Sequence, residues 1–401
     1  MNASQAFRTL LLYRVGTTLS YQVTMVAVGW HLYEITNSVF SLGLVGLAEL
    51  VPYFALALYA GHAVDRHSRK LIAAIACLLH IVVALFLTAL ALDLLAPPVP
   101  LIYTAVAFLG VARALLRPSY QAIFGQLIPR DQTTRYTAYA SSAFQICVVA
   151  GPGLGGLMIG FAGLEWAYAL AALSGIVGLY GINLIRITHE KSHEIGGNFL
   201  NSFLAGFHYV RKHELLLGVM ALDMFAVLFG GAVSILPAFV KEVLNAGPET
   251  LGILRAAPAA GAVITGIYLA RRPLLQDSGK QLFLSVGGFG LAIIAFGLSS
   301  HLWVCALFLF ISGCCDSISV VIRGSIMQLT TPDNMRGRVS AINGIFIGSS
   351  NELGALESGL AASMMGLVPS IIFGGVATLA VVAITYQLAP HLRKLNLKDL
   401  N

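Results

Sequence analysis

Apolar residues fill this chain in long blocks, and polar residues are confined to the gaps between them. Each block runs to about 20 residues, the length of helix that crosses the hydrocarbon core of a bilayer. Twelve such blocks recur, near 7–31, 40–62, 71–92, 99–118, 136–160, 165–187, 214–240, 251–270, 281–299, 302–322, 339–365 and 369–389. They predict an all-α polytopic membrane protein with twelve transmembrane helices. The longest polar segment, 188–212, contains His189, Glu190, Lys191, His193 and Glu194 and separates six blocks from six. The expected organisation is therefore an N-terminal bundle at 1–187, a cytoplasmic linker at 188–212 and a C-terminal bundle at 213–401.

Composition agrees with a membrane protein. Of the 401 residues 57% are hydrophobic and 10% charged, against about 25% charged in soluble domains. The net charge of +6 does not point to nucleic acid, because its distribution is that of a membrane protein. With the first segment placed inside, twenty of the 24 Lys and Arg fall on the cytoplasmic side and Lys241 alone on the other. Arg14, Arg113 and Arg255 lie within spans. This asymmetry is the positive-inside pattern and predicts cytoplasmic termini at both ends. One Arg precedes a first span too long for a signal-peptide core, with no small-residue cleavage site, so an uncleaved first helix is expected. The five cysteines all fall inside predicted spans and read as small packing residues.

The two halves carry traces of one repeat. Pro129, Arg135, Ala138, Gly151, Gly156 and Leu157 recur as Pro332, Arg338, Ala341, Gly354, Gly359 and Leu360 at an offset of 203. Gln126-Leu127 recurs as Gln328-Leu329. Both copies run from a basic loop into the following helix, as duplication predicts.

Three motifs concentrate the polar chemistry. The turn from Gly61 to Lys70 packs Asp65, Arg66, Arg69 and Lys70 between two apolar runs. Gly61 allows two helices to approach closely, and Asp65 is placed to meet the positive N-terminal end of a helix. The start of the eleventh helix, near Arg336-Gly337-Arg338, is the expected partner. Inside the fifth span, Gly151-Pro152-Gly153-Leu154-Gly155-Gly156 combines a lost backbone hydrogen bond with room for close packing. It is no phosphate loop, since no Lys-Ser/Thr follows. A third stretch, Arg113 to Arg135, returns in weaker form at Thr331 to Val339.

These motifs resemble those of the major facilitator superfamily, in its enterobactin-exporter and macrolide-efflux branch. The resemblance implies two pseudo-symmetric six-helix bundles and a secondary active transporter of the bacterial cytoplasmic membrane, driven by the proton gradient and needing no cofactor. It implies gating at Gly61, Asp65, Arg66, Arg113, Gly151, Pro152, Arg336 and Arg338.

Ionisable residues inside spans are costly, at least about 2.5–3.5 kcal/mol each on the insertion scale, and so mark partners or wet cavities. Glu49, Glu352 and Asp223 lie near mid-span and are the candidate proton carriers. The alternative for each is a static ion pair with Arg14, Arg113 or Arg255. Arg14 and Arg113, toward the cytoplasmic ends, suit structural pairing, whereas Arg255 suits an anionic solute or Glu357. Candidate solute contacts are Tyr21, Gln22, Trp30, Tyr53, Gln145, Phe225, Asn343, Phe346 and Asn351. No His, Cys or acidic spacing forms a metal site. No nucleophile–base pair marks an enzyme. The expected function is proton-coupled export of an amphipathic small molecule, a siderophore or an antibiotic, by a monomer in the bilayer. A siderophore importer and a lysophospholipid flippase are the alternatives.

Overall fold

The computed structural model describes residues 3–66, 68–96, 98–185, 199–271 and 276–400. Its helices are α1 (Ala3–Thr36), α2 (Val39–Arg66), α3 (Arg69–Ala91), α4 (Pro98–Leu127), α5 (Thr133–Ala162), α6 (Leu164–Leu184), α7 (Phe199–Lys212), α8 (Glu214–Phe229), α9 (Leu236–Glu242), α10 (Pro248–Arg271), α11 (Ser278–Gly297), α12 (Leu302–Thr330), α13 (Asp333–Met365), α14 (Leu367–Leu388) and α15 (Pro390–Arg393). Short 3-10 turns lie between α4 and α5, between α8 and α9 and after α15, and no strand occurs among the described residues. Ten of these segments are long and apolar enough to cross a membrane. The helices α1 and α13, with 34 and 33 residues, have ample length but carry more polar positions. The protein is an all-α, multi-pass membrane protein.

Several boundaries differ from the apolar blocks for local reasons. The seventh block is one span but two helices. Its helix stops at Gly230-Gly231, passes through a 3-10 turn at Ala232–Ile235 and restarts at α9 with Pro237 in the first turn. Proline is tolerated there because first-turn N–H groups have no intrahelical partner. By contrast α4 runs through Pro118 to Leu127, and α12 runs on to Thr330. Arg323, one residue past the predicted span 302–322, thus lies within a helix, as does Arg117. Arg336 and Arg338 follow the start of α13 at Asp333 by one turn.

The chain forms two compact units. One comprises 1–41, 47–194 and 245–256; the other comprises 42–46, 195–244 and 257–401. In the first, α1 packs on α5 and α6, and α3 on α4 and α6. In the second, α8 packs on α13 and α14, and α11 on α12 and α14. The pairing scheme is thus the same in both, as a duplicated bundle requires. The repeat also extends to the helix corners. Gly163 between α5 and α6, and Gly366 between α13 and α14, both adopt positive φ (109° and 91°), a conformation that glycine enters without penalty. They too are 203 positions apart.

Each unit also has close helix crossings built on glycine, and one of them recurs in both. In the first unit a methyl on Gly156 of α5 would come within 2.6 Å of the Gly252 Cα of α10. In the second, a methyl on Gly43 of α2 would come within 3.1 Å of the Gly359 Cα of α13. Gly156 and Gly359 are counterparts in the repeat, so both copies use the same glycine to let a backbone approach. All five cysteines are free and sit in helices.

Candidate functional site

The first unit gathers a carboxylate, a guanidinium and a phenol from three helices. Glu49 of α2 is fully buried, and its Oε1 accepts a hydrogen bond from Arg113 Nη1 of α4 at 2.6 Å. The Tyr21 hydroxyl of α1 is 2.9 and 3.1 Å from the two Glu49 carboxylate oxygens and accepts from Arg113 Nη1 at 3.1 Å. Gly110, one turn before Arg113, brings α4 against the Glu49 backbone: a side chain there would strike the Glu49 carbonyl oxygen. Tyr53, one turn after Glu49 on α2, lies beneath the guanidinium with its ring centre 4.8 Å from Cζ. The Arg113 side chain keeps 26% of its surface exposed while that of Glu49 keeps none. The pair is therefore sealed on the carboxylate side and open on the arginine side.

Arg113 opens onto a cavity of about 740 Å³ lined by α1, α4 and α5 of this unit. Helical spacing builds its wall. Tyr13, Arg14, Thr17, Thr18, Tyr21 and Gln22 project from one face of α1, and Arg113, Arg117, Tyr120, Gln121 and Phe124 from one face of α4. Thr137, Ser141 and Phe144 close it from α5. Expected to suit a structural ion pair, Arg14 instead lies over two aromatic rings, 4.3 Å from the centre of Tyr120 and 4.9 Å from that of Phe144.

The second unit pairs Asp223 of α8 with Arg323 of α12, both buried. Asp316, two turns before Arg323 on α12, and Asp223 line a void of about 10 Å³ together with Val286, Phe289 and Cys315. That is room for about one water molecule.

The remaining candidate positions are dispersed. Glu352 is half-buried on α13, facing Gly46 of α2 through its backbone carbonyl. Gln22 lines the cavity beside Gly151, whose added methyl would come within 2.6 Å of Gln22 Cβ, and Pro152 lies within α5. Trp30 is buried, Gln145 and Phe225 are exposed, and Asn343 is half-buried. Phe346 packs against the Val210–Met220–Ile342 cluster. Asn351 donates to the Ile347 carbonyl of its own helix. Arg336 reaches the Gln328 carbonyl, and Arg338 is exposed beside Met335. The backbone of Gly61, Asp65 and Arg66 continues α2, and their side chains lie outside the described residues.

A family model for transmembrane secretion effectors matches residues 2–401. This chain belongs to that family, within the major facilitator superfamily. Macrolide efflux protein A of Streptococcus pyogenes is 21% identical over 401 residues, covering 98% of each chain. The enterobactin exporter EntS of Escherichia coli O1:K1 is 25% identical over 400 residues, covering 97% of this chain and 93% of its own. Among solved structures, a point mutant of the nucleoside transporter NupG superposes with a TM-score of 0.75 at 14% identity, over 96% of this chain and 99% of its own. A D-xylose–proton symporter gives 0.73 at 12%, over 97% and 99%. These structures share the fold. The family is one of membrane transporters, not enzymes.

Proposed function

We propose that this transporter is a proton-coupled exporter of an amphipathic small molecule, a siderophore or an antibiotic, working by alternating access in the bacterial cytoplasmic membrane with both termini inside. The relatives named for macrolide efflux and enterobactin export support export. The observation that carries the coupling is the Tyr21–Glu49–Arg113 cluster at the inner end of the cavity. Ionised Glu49 holds Arg113 by a charge-assisted hydrogen bond, the strong kind. A proton on Glu49 removes that charge and releases the guanidinium toward the cavity, where a solute can take it. Proton and solute thereby act on one arginine, and each biases the same conformational equilibrium. Glu352 is a second candidate carrier.

The test is pH-gradient-driven transport in proteoliposomes, with iron-free enterobactin and erythromycin as trial solutes and lumenal pH read by an entrapped dye. Solute should move protons in the wild type. Glu49→Gln should abolish the solute-linked proton flux and still purify as a folded monomer. Unchanged flux in Glu49→Gln would remove the coupling role from Glu49.

A further inference from the structure

The cavity of the first unit has a marked charge bias. Three arginines line it (Arg14, Arg113 and Arg117) and, among the described residues, no carboxylate does. Glu49, behind Tyr21, answers Arg113. Among the described residues no carboxylate pairs with Arg14 or Arg117. Two positive charges therefore face a space large enough for a drug-sized molecule.

Arg14 is held in an unusual way for a half-buried charge. Its guanidinium lies over the rings of Tyr120 and Phe144 and also hydrogen-bonds the Tyr120 side chain, while its Nε has no partner among the described residues. A guanidinium over aromatic faces is attracted by the rings and still has in-plane N–H donors, here Nε–H, to offer a planar acceptor such as a carboxylate. The buried Tyr13 hydroxyl next to it, also lining the cavity, likewise lacks a partner among the described residues. Unsatisfied donors inside a membrane protein are costly, so the site is built to receive an acceptor. The surrounding rings of Tyr21, Tyr120, Phe124 and Phe144 supply faces for an aromatic body.

We propose that Arg14 binds the anionic group of an aromatic organic acid in this cavity, and that the transported solute is an aromatic anion rather than an organic cation. This rests on the exporter reading above and adds the charge class of its solute. A protonated amine placed here would meet two arginines that no carboxylate among the described residues neutralises, in a low-dielectric wall where like charges repel strongly.

The test uses three probes of one shape and different charge: 2-naphthoate, 2-naphthamide and 2-naphthylmethylammonium. Equilibrium dialysis against the full chain in nanodiscs, with empty nanodiscs subtracted, gives each affinity without any gradient. Failure of coupled transport therefore does not affect it. The anion should bind about tenfold or more tighter than the amide, as one charge-assisted hydrogen bond predicts, and the cation weakest. Arg14→Gln should erase the preference, Arg14→Lys should keep part of it, and Arg8→Gln, exposed and outside the cavity, should leave it intact. Equal or tighter binding of the cation, no preference for the anion, or a preference untouched by Arg14→Gln would overturn the proposal. The wild-type series alone decides the charge class should the Arg14 variants fail to fold.

Discussion

Glu49–Arg113 and Asp223–Arg323 are both buried carboxylate–arginine pairs joining two helices, one in each unit, yet their surroundings differ. In the first, a fully buried acid meets an arginine with a quarter of its side chain exposed beside about 740 Å³ of space. In the second, the two side chains are 10% and 6% exposed beside a void of about 10 Å³. The first pair faces the cavity through Arg113. The second has room for about one water molecule. The same chemistry thus serves two purposes. An open pair can exchange partners during a cycle, whereas a sealed pair fastens helices.

The largest expected effect comes from neutralising the acid in each pair. Asp223→Asn leaves the Arg323 charge buried and unanswered, which costs about 3–5 kcal/mol. In Glu49→Gln the Gln carbonyl still accepts from Arg113, whose side chain is a quarter exposed toward the cavity, so the loss should be about 1 kcal/mol. Adding Arg323→Met to Asp223→Asn should recover most of the larger loss. Equilibrium unfolding in mixed micelles measures all three. Equal losses at Glu49 and Asp223 would end the distinction between an open and a sealed pair.

That distinction was half legible in the sequence. Apolar block length located twelve spans, and the offset of 203 read between Pro129 and Leu157 continues to the matching corners at Gly163 and Gly366, because duplication preserves backbone geometry. Glu49 stood out as a charge in mid-span, and Arg113 was among its possible partners. Arg323 was missed as a partner because a span ended at residue 322 places it in a loop. Its spacing of seven from Asp316, two helical turns along one face, was the available signal. The cavity wall was likewise written in the 13, 14, 17, 21 and 113, 117, 120, 124 spacings. Which helices face one another, and hence that Arg14 meets aromatic rings rather than an acid, depends on packing that no single helix encodes.

If the two units differ in their charged sites and not in their scaffold, equivalent glycines should respond alike. Gly151 of α5 faces Gln22 of α1, and a methyl there would lie 2.6 Å from Gln22 Cβ. Its counterpart Gly354 of α13 faces the end of α8, and a methyl there would lie 2.8 Å from the Leu228 carbonyl oxygen. Both alanine variants should lose about 1–3 kcal/mol from overpacking. Gly153→Ala, with nothing within 4 Å of the added methyl, should be near neutral. Thermal midpoints of the detergent-solubilised variants report this. A loss at one counterpart only would mean that the difference between the units reaches into their backbone packing.

The smallest effect probes the open pair itself. Tyr21→Phe removes a hydroxyl that donates to Glu49 and accepts from Arg113. Glu49 keeps its 2.6 Å bond to Arg113, and the released Arg113 N–H can turn to water in the cavity. The stability cost should therefore be that of one ordinary hydrogen bond, about 0.5–1.5 kcal/mol. Coupling should respond differently from stability. Without the phenol, Arg113 has one acceptor fewer holding it beside Glu49, so it turns to a solute more readily and the solute-linked proton flux should reach half-maximum at a lower solute concentration. The solute dependence of flux in Tyr21→Phe proteoliposomes separates the two effects. A stability loss as large as that of Asp223→Asn with an unmoved solute dependence would show that Tyr21 seals the Glu49 pair as tightly as the Asp223 pair is sealed, and that the cavity plays no part in its chemistry.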